Sequence, residues 1–331
     1  MRVTVVGAGI IGLSIAWRLA QAGCSVVVKD AGPLAGESSW AGAGMLTPAG
    51  EFRDESRWTR LAIDSLAGYG DFVTELTLAT GMEIDYRVAG TLEVAVNEEE
   101  AAEQDRPRPA GIRVEAISPE QAGTLAPIAR TGIRQARWIP NEAVVDPRQV
   151  CAALIAACRA LGVTLEENTP VDVPAGPTVI AAGAWASRAA GLGPAPRSFA
   201  VKGHLLGYWC KPGSLVPIVR RGHYYALQRA SGFTLFGSDE QREVWDRTTE
   251  PARIQALAAA AAELLPGLLA REPDEAWAGL RPWSDAVEPV VEQLPGREVW
   301  LAYGHFRNGI LLAATTARMV TGAILASQGK G

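Results

Sequence analysis

Arg281 stands among Trp277, Leu280 and Trp283, and a guanidinium in such apolar company needs an anionic partner to offset the loss of water. Its planar fork matches a carboxylate through two parallel hydrogen bonds. Two kinds of partner meet that need: a small-molecule acid, or an internal carboxylate such as Asp285 or Glu288. Arg307, in the apolar turn Gly304–Ala313, poses the same choice. A second signal lies at the start of the chain, where Gly7, Gly9 and Gly12 fall in G-x-G-x-x-G spacing with Ile10 and Ile11 between them. Gly7 permits a tight turn, Gly9 lets backbone approach a phosphate, and Gly12 lets a helix pack on a strand. The helix opening there offers unpaired N–H groups and a positive dipole end to an anion. Asp30 follows roughly 20 residues on, the distance at which a carboxylate meets an adenosine ribose. A glycine-rich turn without ligand needs none of these companions. The motif leaves NAD and FAD equally open.

The elements that must hold these groups are legible from spacing. Val3–Val6 is a buried strand, Leu13–Ala20 a helix stopped by Gly23, and Ser25–Val28 a second strand ending at Asp30. Trp58, Leu61, Ala62, Leu66, Tyr69, Phe72, Val73 and Leu76 recur at helical spacing and belong to the core. The charged, proline-bearing run Glu98–Gly111 is a surface connection, and Ser118-Pro119-Glu120-Gln121 a capped helix start. Asp146 and Pro147 open a long helix that Gly162 stops. Strands follow at Val163–Leu165 and Thr178–Ala181, then a β-rich stretch with Val201–Trp209, Tyr224–Gln228 and Phe233–Gly237. An alanine-rich helix covers Pro251–Leu265. The strand Val299–Tyr303, a glycine turn and a helix over Ala313–Ala326 complete the chain. This order predicts an α/β fold: a Rossmann-like dinucleotide-binding domain with a second, antiparallel α+β substrate domain. The first is discontinuous, over 1–85, 140–197 and 278–331; the second takes 86–139 and 198–277.

Bulk properties exclude several classes. The 331 residues carry a formal net charge of −5, with a pI near 5.4, so no basic surface is expected for nucleic acid. Four cysteines and three histidines show no metal-ligand spacing. The cysteines are expected as free thiols, buried, in a reducing compartment. The apolar start lacks the layout of a signal peptide. No other run of about 18 apolar residues stands out as a bilayer span. The expectation is a cytoplasmic protein with neither membrane nor nucleic-acid partner and no metal.

Three segments together resemble the FAD-dependent amine oxidases of the D-amino acid oxidase group, the glycine oxidases of the thiamine pathway above all. They are the turn Gly7–Gly12 with Asp30, the loop Ser38–Leu46 (SSWAGAGML), and the run Gly304–Ala313 (GHFRNGILLA) preceded by Trp277–Pro282 (WAGLRP). The resemblance spans nearly the whole chain in the same order. It implies a glutathione-reductase-type flavoprotein with non-covalent FAD, since no cysteine stands near Arg281 or His305. It implies that Ser38, Ser39, Ala43, Gly44 and Met45 contact the cofactor, with Met45 facing the substrate, and that Val171 meets the adenine end. His305, Phe306, Arg307, Asn308, Gly309, Ile310 and Leu311 form the turn over the flavin ring, Asn308 and Gly309 offering it backbone N–H groups. Arg281 matches the arginine that clamps the substrate carboxylate. Tyr225 matches a tyrosine on the same carboxylate, with Tyr224 as its rival. His204 and His223 are expected as structural histidines, with polar groups near the cavity as the alternative for each. The implied reaction turns glycine and oxygen into glyoxylate, ammonia and hydrogen peroxide, with the imine available for thiazole synthesis, in a dimer or tetramer. Sarcosine or D-alanine is an alternative substrate, another electron carrier an alternative acceptor, and a non-catalytic FAD-binding protein a reading of another class. This chain departs from the family in two places. The strands usual between Thr169 and Thr178 shrink to Asp172–Pro177, and Trp283–Val287 replaces a short glycine turn.

Overall fold

The computed structural model describes residues 1–129, 131–169, 176–189, 192 and 195–328. Its first sheet has six strands in the order Val290–Gln293, Val299–Tyr303, Thr178–Ile180, Arg2–Val6, Ser25–Lys29, Thr164–Glu166. All neighbours run parallel except Val290–Gln293 against Val299–Tyr303. Val3, Val5, Val26, Val28 and Val179 are buried, as expected of central parallel strands covered on both faces. Ile10–Gln21 packs between Gly309–Gln328 and Pro147–Ala160. Asp146 caps Pro147–Ala160, its Oδ1 accepting from Arg148 N at 2.9 Å.

The second sheet holds nine strands, antiparallel apart from one parallel pair, Ile218–Arg221 with Thr91–Ala95. Its spine is the antiparallel pair Ser198–Trp209 and Glu275–Ser284, in register from Ser198↔Ser284 to Gly207↔Glu275. Pro251–Leu264 and Pro119–Leu125 close over one face through Leu206, Tyr208, Val219, Phe236, Leu257 and Leu264. Ser118 and Gln121 form the full capping box at the start of the second helix. The opposite face, with Leu205, Leu227 and Trp277, packs against Ala41 and Ala43 of the small-residue loop. A third sheet, Met45–Leu46, Ala143–Val145 and Tyr86–Val88, pins the far end of that loop.

Four expectations need correction. The helical stripe from Trp58 to Leu76 is two helices, Arg57–Ala67 and Tyr69–Thr80, broken at Gly68, and Leu61 and Leu66 are only partly buried. The run Glu98–Gly111 contains the helix Glu98–Asp105. Asn97 Oδ1 accepts from Glu100 N at 2.8 Å, and Glu98, Glu99 and Glu100 put negative charge on its first turn, where the helix dipole favours it. The last helix starts at Gly309, not Ala313, so the glycine turn is its first turn. Gly309–Ser327 is also long and apolar enough to cross a bilayer by composition, with mean hydropathy 1.6, but it is the core helix beside Ile10–Gln21. Between Glu166 and Thr178 no strand occurs among the described residues, and Val171 lies outside them. All four cysteines are free. Burial pushes the Cys151 and Cys158 thiols up to about 12, so both are unreactive packing groups.

Candidate active site

A cavity of about 460 Å³ runs between the two large sheets, from Lys29 and Asp30 at one end to Arg220, Tyr225 and Arg307 at the other. It brings together Gly7, Gly9, Ile10, Ile11, Asp30, Ser38, Ser39, Ala43, Gly44, Met45, Tyr225, Arg281, His305, Phe306, Arg307, Asn308, Gly309 and Ile310. Gly12 and Leu311 stand behind the wall. A Cβ on Gly12 would lie 1.9 Å from Gly7 O, so Gly12 serves helix–strand packing, and Leu311 is core.

The glycine-turn end is built of backbone. Gly7 has φ +106° and would place a Cβ 2.4 Å from Ala181 O, so only glycine fits. Ile10 N donates to Ser39 Oγ at 2.9 Å. That bond ties the small-residue loop to the first helical turn. Asp30 is already partly engaged: Oδ2 accepts from Ala8 N at 2.6 Å and Oδ1 from Gly32 N at 2.8 Å. Each oxygen keeps a further lone pair to accept with, and Asp30 lines the cavity. Before meeting any ribose, therefore, Asp30 splints the turn.

At the other end, side chains from distant strands converge. Arg281 lies over Gly203 on the neighbouring strand, where a Cβ would fall 2.2 Å from both terminal guanidinium nitrogens. Its Nη2 donates to Ser238 Oγ at 2.7 Å and its Nη1 to Asp239 O at 3.2 Å. Burial depresses its pKa, and Tyr225 stands close enough to act on it. Neither expected internal partner is taken: Asp285 pairs with Arg197 at 3.2 Å, and no carboxylate lies within ion-pair distance of Arg281 among the described residues. Tyr225 lines the cavity, opposite Arg220 and Gly237 in register. Its rival Tyr224 faces the other side of the sheet, stacked on Phe236 at 5.7 Å. Arg307 differs from Arg281, because Glu240 binds one of its nitrogens and Glu51 lies 3.6 Å from another.

The turn from Gly304 to Gly309 closes the cavity. Gly304 has φ +77° and would press a Cβ 2.7 Å from Ser284 Cβ. Phe306, at φ +49°, donates its N–H to Pro282 O at 2.9 Å. The expectation that Asn308 turns its backbone N–H to a ligand is corrected: that N–H donates to His305 O at 2.8 Å and completes the turn. Leu312 N is the first to bond back, to Asn308 O at 2.9 Å, which leaves the Gly309 and Ile310 amides at the helix N-terminus without a backbone acceptor. His305 is buried with Nε2 2.9 Å from Thr316 Oγ1. Burial pushes its imidazole down to about 3, so it is neutral.

Sequence reasoning missed several wall residues: Thr47, Glu51, Arg220, His223 and Ser238. His204 is structural, its Nδ1 3.0 Å from Asp239. His223 instead faces the cavity, its pKa lowered by burial and by Arg307. His223 lies in the turn just before Tyr224–Gln228, which brings it to the same cavity as Tyr225.

A family model described as FAD dependent oxidoreductase matches residues 2–323. The chain is 32% identical over 340 residues to a glycine oxidase of Bacillus licheniformis, which covers 97% of this chain and 92% of that protein. It is 30% identical over 348 residues to the bifunctional protein ThiO/ThiG of Synechocystis sp., covering 98% of this chain and 51% of the longer relative. The crystal structure of glycine oxidase from Geobacillus kaustophilus matches with a TM-score of 0.93 at 29% identity, over 98% of this chain and 95% of that one.

Proposed function

The chain belongs to the FAD-dependent oxidoreductase family, and on that premise we propose that it oxidises glycine to glyoxylate, with release of ammonia and reduction of oxygen to hydrogen peroxide. FAD is the cofactor, and the residues present fit it. The glycine turn admits no side chain at Gly7, leaving backbone to approach the diphosphate, and the Gly309 and Ile310 amides are placed to face the electron-rich edge of the ring. Ser38, Ser39 and Ala43–Met45 hold the stretch between.

The observation that carries the substrate reading is Arg281: a half-buried guanidinium on the cavity wall, held by Ser238 and Asp239, with no carboxylate among the described residues within ion-pair distance. A substrate carboxylate supplies the missing charge bidentately. The Tyr225 hydroxyl donates to the same carboxylate. Holding it at two points fixes the rest of so small a molecule, and orientation supplies much of the barrier reduction. FAD, when bound, would supply the redox chemistry, taking up the Cα hydride and relaying the electron pair to oxygen. The amine must arrive neutral. The imine product takes up water and falls to glyoxylate and ammonia, or serves thiazole assembly in thiamine synthesis. Met45 closes the cavity beside the substrate. Arg307, bound to Glu240 and near Glu51, holds the closing turn to the second sheet. By the same resemblance, we place the enzyme in the cytoplasm as a homo-oligomer. The test is anaerobic mixing with glycine, sarcosine and D-alanine: glycine bleaches the flavin fastest, and a spectrum that no amine bleaches overturns the assignment.

A further inference from the structure

The glycine-turn end of the cavity is short of positive charge. Two carboxylates, Asp30 and Glu37, line it. The cations nearby are already committed, Lys29 to Glu166 at 3.2 Å and Arg247 to Glu37 at 3.3 Å. Several amides are committed too: Gly7 N to Lys29 O at 2.8 Å, Ala8 N to Asp30, and Ile10 N to Ser39. A dinucleotide brings two more negative charges to this place, and the half-charge of a helix end does not balance them.

Among the described residues, one cation at this end of the wall is unspent. Arg188 ends the 3₁₀ segment Gly183–Arg188, which leaves the sheet beside the glycine turn: Ala182 Cα would lie 2.9 Å from a Cβ on Gly7. At three residues per turn, Trp185 and Arg188 fall on one face, and both line the cavity. Among the described residues Arg188 pairs with no carboxylate. Its guanidinium instead lies 3.6 Å over the Trp245 ring, and Trp245 packs on Trp185 with centroids 5.7 Å apart. An aromatic face restrains a guanidinium without neutralising it.

We propose that Arg188 is a second diphosphate anchor, facing the glycine turn across the cavity, with Trp185 and Trp245 as its splint. This rests on the FAD reading above. It adds a charged clamp where the glycine turn alone supplies only backbone. The anchor accounts for an exposed arginine that is stacked rather than paired, and for an acidic nucleotide end that nonetheless takes an anion.

The test is the dissociation constant of FAD from the full-length protein, measured by flavin fluorescence on equilibrium dialysis of wild type, Arg188→Met and Arg188→Lys at low and high NaCl. Arg188→Met weakens FAD about tenfold at low salt, the scale of one charge-assisted hydrogen bond. The gap closes in high salt as screening removes the wild-type advantage, and Arg188→Lys keeps most of the affinity. Riboflavin, which has no phosphate, is held equally by all three. An Arg188→Met affinity within twofold of wild type, or equal loss of riboflavin and FAD, overturns the anchor. Wild type that retains no FAD overturns the functional reading, and the anchor with it.

Discussion

The two ends of the cavity are built from different materials. At the glycine turn the groups that face the ligand are mostly backbone, contributed by residues close in sequence, and side chains such as Asp30 and Ser39 brace that backbone. At the arginine end they are side chains from strands far apart in the chain, Arg281 lying across Gly203 to reach Ser238. A backbone site is specified by what is missing, a side chain at Gly7 or Gly12. A side-chain site is specified by charge and length. The first tolerates no added atom. The second loses function in proportion to the group removed.

The sharpest break of that contrast is Gly12→Val. Its Cβ would sit 1.9 Å from Gly7 O, a backbone atom that cannot turn away, so the expected outcome is little folded protein and no bound flavin, read by yield and the 450 nm band. Next is Arg281→Met. It removes the unpaired cation while FAD stays bound, and kcat/KM for glycine should fall by about a thousandfold, the cost of losing a buried charge pair. A tenfold loss or less would return Arg281 to a structural role. Tyr225→Phe deletes one donor and should raise KM about tenfold, whereas Tyr224→Phe, on the far face of the sheet, should leave kinetics unchanged. Asp30→Asn should weaken FAD only a few-fold, because the amide oxygen still accepts from Ala8 N or Gly32 N. The smallest effect concerns His305. Its imidazole should not titrate between pH 5 and 9 by NMR, since burial holds it near 3. With the folded value below the unfolded one, its contribution to stability is complete above about pH 6.5 and lost as pH falls toward 3. A His305 resonance shifting near pH 6.5 would contradict the burial.

The same contrast decides what was legible in the sequence. The glycine turn, the Asp146–Pro147 helix start and the Ser118 capping box are local, and each follows from neighbours within a few residues. The helix at Glu98–Asp105 was hidden by its charge, although Asn97 followed by three glutamates is an N-terminus signal. Glu51 and Arg220 were not legible as wall residues, because the short helix Pro48–Glu51 and the strand Ile218–Arg221 bring them there from far apart in the chain, which leaves no mark on spacing. The Asn308 amide was misassigned for a local reason: the turn bonds within itself before its helix begins.

Glu275–Ser284 touches the small-residue loop, Gly203 and the closing turn. Trp277 Nε1 donates to Ala41 O at 3.1 Å, Leu280 O accepts from Ser38, Arg281 is the proposed clamp, and Pro282 O holds the closing turn. In surveying language, this strand is a common datum: the small-residue loop, Arg281 and the closing turn are all measured from one baseline. Errors of placement elsewhere in the fold then do not accumulate between the reacting atoms. Loops between the elements are free to lengthen or shrink, while a single residue inserted between Trp277 and Pro282 would move all three references at once.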